Sequence, residues 1–217
     1  MVRLMQPAPP PTDVPPAPAG KIECAVNALV QFARFRNKDL DPNDVLQRSG
    51  IAPATFWRLM TNRNDRVSFE VLARCCATFQ VPISAVLVYW SETSPYACLP
   101  IPTVVTASIT SYGRVAVILP HVLHGYADIW GEPLTNLHTL VGTQRKTIDA
   151  LIENQGTLID FHILARLIDV LTAIAQKPHP SSKLFADWLD ANHYTPGTVE
   201  MVLRYIPELT ETHGDAV

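Results

Sequence analysis

The chain has 217 residues, of which 47% are apolar and 17% are charged. This composition excludes a fibrous or wholly disordered protein and allows one large or two small globular domains. The formal net charge is −3, so affinity for nucleic acid would require a local basic patch. No stretch fits a signal peptide or a membrane span, and the four cysteines form neither a disulfide framework nor a zinc-binding pattern. We therefore expect a cytoplasmic protein.

The N-terminal part is predicted to be a disordered arm followed by a helical domain. Prolines between residues 6 and 20 remove amide protons that a helix needs, so residues 1–20 are expected to form the arm. In residues 21–92 the spacing of apolar side chains predicts a helical domain. Its helices are expected at residues 22–38, 45–48, 51–60, 68–79 and 81–89.

The rest of the chain is predicted to form a β-hairpin and then more helices. Residues 93–121 are rich in valine, isoleucine and threonine, and strands at 103–110 and 114–119 would form a hairpin connector. Residues 122–176 return to helical spacing. A proline-containing linker at 177–182 then opens a C-terminal helical segment, residues 177–217, with helices expected at 184–189 and 199–206. The predicted fold class is mainly α.

An internal repeat is the most informative feature of the sequence. A shift of 92 residues aligns residues 49–80, the first repeat segment, with residues 141–172, the second repeat segment, without a gap. Eight of the 32 aligned positions are identical, among them Gly50 with Gly142 and Leu59 with Leu151. This spacing favours two copies of one supersecondary unit, the alternative being a coincidence of helical periodicity.

Each repeat segment, taken with the short helix before it, has the layout of a helix-turn-helix: a short helix that ends in glycine, a tight turn, and a second helix with an apolar inner face. The sequences DVLQRSGIAPATFWRLM from Asp44, RVSFEVLARCC from Arg66 and FQVPISAVL from Phe79 resemble the Cro and phage-repressor type of helix-turn-helix domain, the Xre family. The resemblance covers residues 24–89. It is weaker in the second repeat segment, where Thr143 occupies a usually aliphatic position. Two repressor-type helix-turn-helix units, in residues 21–92 and 122–176, are therefore expected.

The resemblance implies that the helix beginning near Pro53 enters the major groove of DNA. Carried over by position, the candidate DNA-binding residues of the first repeat segment are Pro53, Ala54, Thr55, Trp57, Arg58, Thr61, Asn62, Arg63 and Asn64. Arg58, Arg63 and Asn64 are the strongest candidates, because guanidinium groups bind guanine or phosphate and carboxamides pair with adenine. Trp57 fits a contact with DNA and an anchor at a protein interface equally well.

In the second repeat segment the corresponding candidates are Gln144, Arg145 and Lys146. Their polar and basic character suits a helix that reads DNA, whereas Asp149 and Glu153 would repel phosphate if they faced it. The sequence leaves two alternatives open, a second DNA-reading unit and a module for packing or dimerisation. With two such units, one chain could hold both halves of a short DNA site without dimerising.

Charge is distributed unevenly along the chain. Residues 34–74 hold eight basic and five acidic side chains, whereas the chain from Lys177 onwards holds three basic and six acidic ones. Because phosphate contacts require local positive charge, the predicted DNA-binding surface lies on the first repeat segment.

The residue patterns do not suggest an enzyme. Common motifs for phosphate binding, for nucleophilic serine and for zinc proteases are missing, and His121 and His124 have no further ligand at metal-binding spacing. We expect no catalytic activity, cofactor, metal or small-molecule ligand.

The predicted function is sequence-specific binding of double-stranded DNA as a transcriptional regulator that represses its promoter. One alternative is a plasmid or phage maintenance protein for partition or replication control. Another is a protein-interaction module anchored by Trp57 and Trp90. The expected partner is double-stranded DNA, without membrane contact, and a homodimer through the hairpin or the C-terminal helices is a further hypothesis.

Overall fold

The computed structural model describes residues 20–91, 104, 111–153 and 157–208. This part of the chain is mainly helical, which confirms the predicted fold class at that level. Its helices are α1 Val26–Arg36, α2 Pro42–Ser49, α3 Pro53–Met60, α4 Phe69–Phe79, α5 Ile83–Val86, α6 Leu119–Trp130, α7 Leu137–Val141, α8 Arg145–Ile152, α9 Phe161–Gln176 and α10 Pro180–Ala191, with a 3₁₀ turn at Val199–Met201. The predicted arm lies outside the described residues, apart from Gly20.

Short strands in the described residues pair as three antiparallel ribbons of two strands each. The strands are β1 Lys21–Cys24, β2 Arg66–Ser68, β3 Leu87–Trp90, β4 Arg114–Val117, β5 Leu158–Asp160 and β6 Leu203–Ile206. β1 pairs with β3, β2 with β5, and β4 with β6. Each ribbon joins segments that are distant in the sequence, so the ribbons hold together helices from different parts of the chain.

Three short segments that the sequence predicts as helix are strands, and those predictions are wrong. β1 and β3 pair in a register that sets Ile22 opposite Tyr89, and β6 pairs with β4 so that Leu203 lies opposite Val117. In a segment of only four residues, side chains such as valine, leucine, isoleucine and tyrosine are compatible with a strand and with the end of a helix. Pairing decides the outcome, because it satisfies backbone groups that a helix terminus would leave without partners.

The predicted hairpin is only partly described by the structure. The strand expected at 114–119 is confirmed as β4, and its described partner is β6. The other expected strand, residues 103–110, lies outside the described residues apart from Val104. The C-terminal segment therefore contributes one long helix, α10, and a strand that packs on residues of the expected connector, instead of the two helices that the sequence predicts.

A hydrophobic core runs through the described residues and has α4 and α9 among its main elements. Leu72 on α4 and Leu164 on α9 are fully buried. A polar contact also fixes α9: the buried carboxylate of Asp169 accepts hydrogen bonds from the hydroxyl of Tyr89 on β3 and from the backbone N–H of Gly20. The N-terminal ribbon is thereby attached to the second half of the chain.

Residues 92 positions apart have matching local structure. α3 and α8 are both eight residues long and begin and end 92 positions apart, and the same shift relates β2 to β5 and the first residue of α4 to that of α9. Gly50 and Gly142 both end a helix in the left-handed conformation, with φ of 62° and 73°. Ser68 and Asp160 both cap the following helix with a side-chain oxygen.

The ribbon of β2 and β5 joins these matching segments in a symmetric way. Its register sets Val67 opposite Ile159, which is the residue 92 positions further along the chain. At one end the N–H of Phe69 donates to the carbonyl of Thr157 at 3.0 Å, and at the other the N–H of Phe161 donates to the carbonyl of Asp65 at 2.8 Å. These two hydrogen bonds are equivalent, because Phe69 and Phe161 lie 92 positions apart in the sequence and so do Asp65 and Thr157. The ribbon therefore has a local two-fold axis between Val67 and Ile159.

Candidate nucleic-acid interface

Helices α2 and α3 are set by strong local signals. Asp41 caps α2 by accepting from the N–H of Asn43 at 2.7 Å, and Asp44 completes a capping box by accepting from the N–H of Asp41 at 2.9 Å. Gly50 ends α2 in the left-handed conformation that glycine adopts without steric cost. Pro53 then begins α3, which suits a first helical position because its missing N–H needs no partner there.

Helix α3 buries one face and exposes the other. Phe56 and Leu59 are buried against the core. The candidates Pro53, Ala54, Trp57 and Arg58 are exposed, and Thr55 is half-buried. The structure therefore brings the predicted residues of this helix together on one accessible side.

Three of the four candidates in the loop after α3, Thr61, Asn62 and Arg63, are exposed, and two of these already have hydrogen-bond partners. Arg63 is exposed. Thr61 is exposed as well, and its hydroxyl donates to the carbonyl of Trp57 at 2.9 Å, so it closes the helix end. Asn62 has a positive φ of 51°, and its side-chain oxygen accepts from the N–H of Cys24 at 3.0 Å. Asn62 is therefore engaged in holding the end of β1.

Asn64 is not on the exposed surface, although the sequence makes it one of the strongest candidates. Its side chain is only 8% exposed, and its Nδ2 group has no hydrogen-bond partner within the described part of the chain. A carboxamide in this position is not available to a base edge. Of the three strongest candidates, Arg58 and Arg63 remain accessible, and neither forms an ion pair with a described residue.

Helix α8 presents its candidates in the same way. Gln144, Arg145 and Lys146 are exposed, whereas Ile148 and Leu151 are buried. The Nε of Arg145 lies 3.6 Å from a carboxylate oxygen of Asp149, and both side chains are largely in solvent. This separation and exposure make the pair weak, so the arginine is free to exchange Asp149 for another anion.

Arg66 is a basic residue that is not among the candidates predicted from the sequence. It lies on β2, and its Nε donates to a carboxylate oxygen of Asp160 on β5 at 3.0 Å. With Gln144 and Lys146 it lines an open groove beside α8. Only the pairing of the two strands brings Arg66 to this groove, and no local sequence signal reports that pairing.

The residues set aside for other chemistry have structural contacts. The Nδ1 of His121 lies 2.6 Å from the hydroxyl of Tyr194, and the Nε2 of His124 lies 3.6 Å from Asp128. Three or more potential metal ligands do not cluster anywhere in the described ranges. Cys24, Cys75 and Cys76 are buried free thiols, and burial raises the pKa of Cys24 to about 11. Cys98 lies outside the described residues.

Residues 35–90 match the family of Cro/C1-type HTH DNA-binding domains. The chain thus contains a helix-turn-helix domain of the Cro/C1 type, in which α2 and α3 form the motif, and this supports DNA binding and a role in transcription. Comparison with curated proteins and with solved structures found no match. Among the described residues, no helix has the length and apolar character that crossing a membrane requires.

Proposed function

We propose that this protein is a sequence-specific transcription regulator that represses a promoter by occupying it. The observation that carries the proposal is the Cro/C1-type domain at residues 35–90, whose helix α3 has an accessible face with Arg58 and is followed by exposed Arg63. Phosphate contacts would set the position on the duplex, and side chains at the start of α3 would contact base edges. Repression then follows from steric exclusion of polymerase.

We also propose that the second repeat segment is a second unit of this type. Three observations support it: the coincidence of helix bounds at the 92-residue shift, the left-handed glycine before each second helix, and the equal pattern of buried positions in α3 and α8. Lys146 and Arg145 at the start of α8 supply the positive charge that a phosphate backbone requires.

A protein-interaction function is favoured by a separate observation. Phe35 on α1 is 85% exposed, and Trp57 and Trp90 are 42% and 39% exposed. Large exposed aromatic residues are typical anchors of protein interfaces. A homodimer, a cytoplasmic location and the lack of catalytic activity stay predictions that accompany either function.

The test is binding of the full chain to fragments of its own upstream region and to unrelated DNA of equal length, at two salt concentrations. We expect selective binding that weakens steeply with salt, because each phosphate contact releases condensed counterions. The variant Arg58→Ala/Arg63→Ala should weaken binding, and Arg145→Ala/Lys146→Ala should do so if α8 also contacts DNA.

The matched control is Lys183→Ala, which removes an exposed lysine from α10, a helix that packs on α6 and α9. It should bind like the unchanged protein. Binding to no fragment at either salt concentration would remove the DNA-binding proposal and leave the interaction module as the better account.

A further inference from the structure

The ribbon of β2 and β5 gives one chain a two-fold arrangement of its own. An antiparallel pair has local two-fold axes perpendicular to the ribbon. Here the axis falls between Val67 and Ile159, which are equivalent in the repeat, so within the ribbon it exchanges equivalent residues of the two repeat segments. In most strand pairs the axis relates only the backbone.

Such an axis constrains where α3 and α8 lie. A two-fold rotation preserves height along its axis, so two units that it relates put their corresponding helices on the same side of the ribbon. Equivalent packing supports this extension beyond the strands: α2 packs on α4, and α7, which precedes α8 as α2 precedes α3, packs on α9. The turns before the second helices are also alike, since the residue before α3 has φ and ψ of −58° and 135° and the residue before α8 has −73° and 141°. The helices α4 and α9 leave the ribbon at equivalent residues.

The two exposed helix faces differ in chemistry. α3 begins with Pro53 and Ala54, which offer no side-chain hydrogen bond, and has its cation at Arg58 in the second turn. α8 has Arg145 and Lys146 in its first turn and Ala150 where α3 has Arg58. A single chain that binds DNA through both helices would therefore contact two half-sites of different sequence.

We propose that a single chain binds a pseudo-symmetric DNA site made of two different half-sites, with β2 and β5 fixing the distance between them. This proposal rests on the proposed DNA-binding function. It adds that the DNA site has two different halves and that one chain occupies it. The ribbon is fastened by the symmetric hydrogen bonds of Phe69 and Phe161 and by the ion pair of Arg66 with Asp160. Helix-turn-helix proteins with two-fold symmetry usually contact half-sites about one helical turn of DNA apart.

The test starts with selection of duplexes from a random-sequence library by the full chain. We expect an enriched site with two unlike half-sites at one fixed spacing. Inserting about five base pairs between them, roughly half a helical turn, should weaken binding about tenfold or more, because a rigid ribbon cannot follow the displaced half-site. Sedimentation of the saturated complex should give one chain per duplex.

Variants assign the half-sites. Arg58→Ala should reduce discrimination at one half-site only, and Lys146→Ala at the other, whereas the control Lys183→Ala should change neither. Enrichment of a single half-site, tolerance of the insertion, or two chains per duplex would each overturn the inference and leave the proposed function intact. Failure to enrich any sequence, with no salt-sensitive binding, would overturn both.

Discussion

The hydroxyl of Tyr89 donates a hydrogen bond to the carboxylate of Asp169, and both side chains are buried. Tyr89 lies on β3 of the N-terminal ribbon and Asp169 lies in the middle of α9, so the contact spans 80 residues of sequence. The same carboxylate accepts from the N–H of Gly20 at 3.1 Å. A buried carboxylate is stable only when such donors replace water, which makes this contact a determinant of how the two halves of the chain are joined.

Replacing the carboxylate should destabilise the protein. We expect Asp169→Asn to lower the free energy of unfolding by about 2 kcal/mol, because the amide accepts more weakly from Tyr89 and Gly20 and buries donors of its own. Urea unfolding followed by circular dichroism measures this change. The control is Asp187→Asn, an exposed aspartate on α10, which should lie within about 0.5 kcal/mol of the unchanged protein. Equal effects of the two variants would contradict the stabilising role of the Asp169 carboxylate.

The same contact predicts a pH dependence on the alkaline side. Burial raises the pKa of Tyr89 above its ordinary value of 10.0, and the hydrogen bond to Asp169 raises it further. The folded state thus keeps a proton that the unfolded state loses above pH 10. Stability from this group is fully present below pH 10 and is lost as the pH rises beyond it.

Urea unfolding at pH 9, 10 and 11 tests this dependence. The free energy of unfolding should fall above pH 10, by up to about 1.4 kcal/mol per pH unit for each tyrosine that stays protonated when folded. Tyr89→Phe should show a shallower fall than the unchanged protein, because it lacks this titrating group. Parallel pH profiles would show that Tyr89 does not carry the effect.

Tyr126 should tolerate the same substitution without loss of stability. Its ring is fully buried and stacks on Trp130 with centroids 4.4 Å apart, and its hydroxyl has no hydrogen-bond partner among the described residues. A buried hydroxyl without a partner costs about 1–3 kcal/mol of desolvation. Tyr126→Phe keeps the stacking and should leave stability unchanged or raise it by about 1 kcal/mol. Thermal unfolding of Tyr126→Phe and Tyr89→Phe side by side checks this, and a lower melting temperature for Tyr126→Phe would refute it.

Local sequence signals were sufficient for the helices that build the candidate interface. The apolar spacing of Phe56 and Leu59 gave the buried face of α3, and Gly50 marked the end of α2. These features depend on residues within one or two turns of each other. The matched bounds of α3 and α8 depend on the repeat, which the alignment of residues 49–80 with 141–172 makes visible in the sequence.

Strand pairing could not be predicted in this way. β1, β3 and β6 have four residues each, too few for a period of two to be told from a helical pattern, and their partners lie 63 to 92 residues away. The burial of Asn64 was equally hidden, because a polar residue in a polar loop is expected to face solvent. In both cases tertiary contacts decide the structure.

The two helix-ending glycines give a matched pair for the last prediction. Both have positive φ, so alanine at either position is strained by about 1 kcal/mol. A Cβ at Gly142 would meet no atom within 4 Å, whereas one at Gly50 would lie 2.6 Å from the Nη1 of Arg74. That guanidinium donates to the carbonyls of Ser49 and Gly50 at the end of α2.

We therefore expect Gly50→Ala to cost about 1 kcal/mol more than Gly142→Ala in urea unfolding, because Arg74 must give up these hydrogen bonds to make room. In an Arg74→Ala background the additional cost should disappear, since the obstructing group is gone. An additional cost that persists without Arg74 would mean that backbone strain at the two turns differs, and that Arg74 is not what distinguishes them.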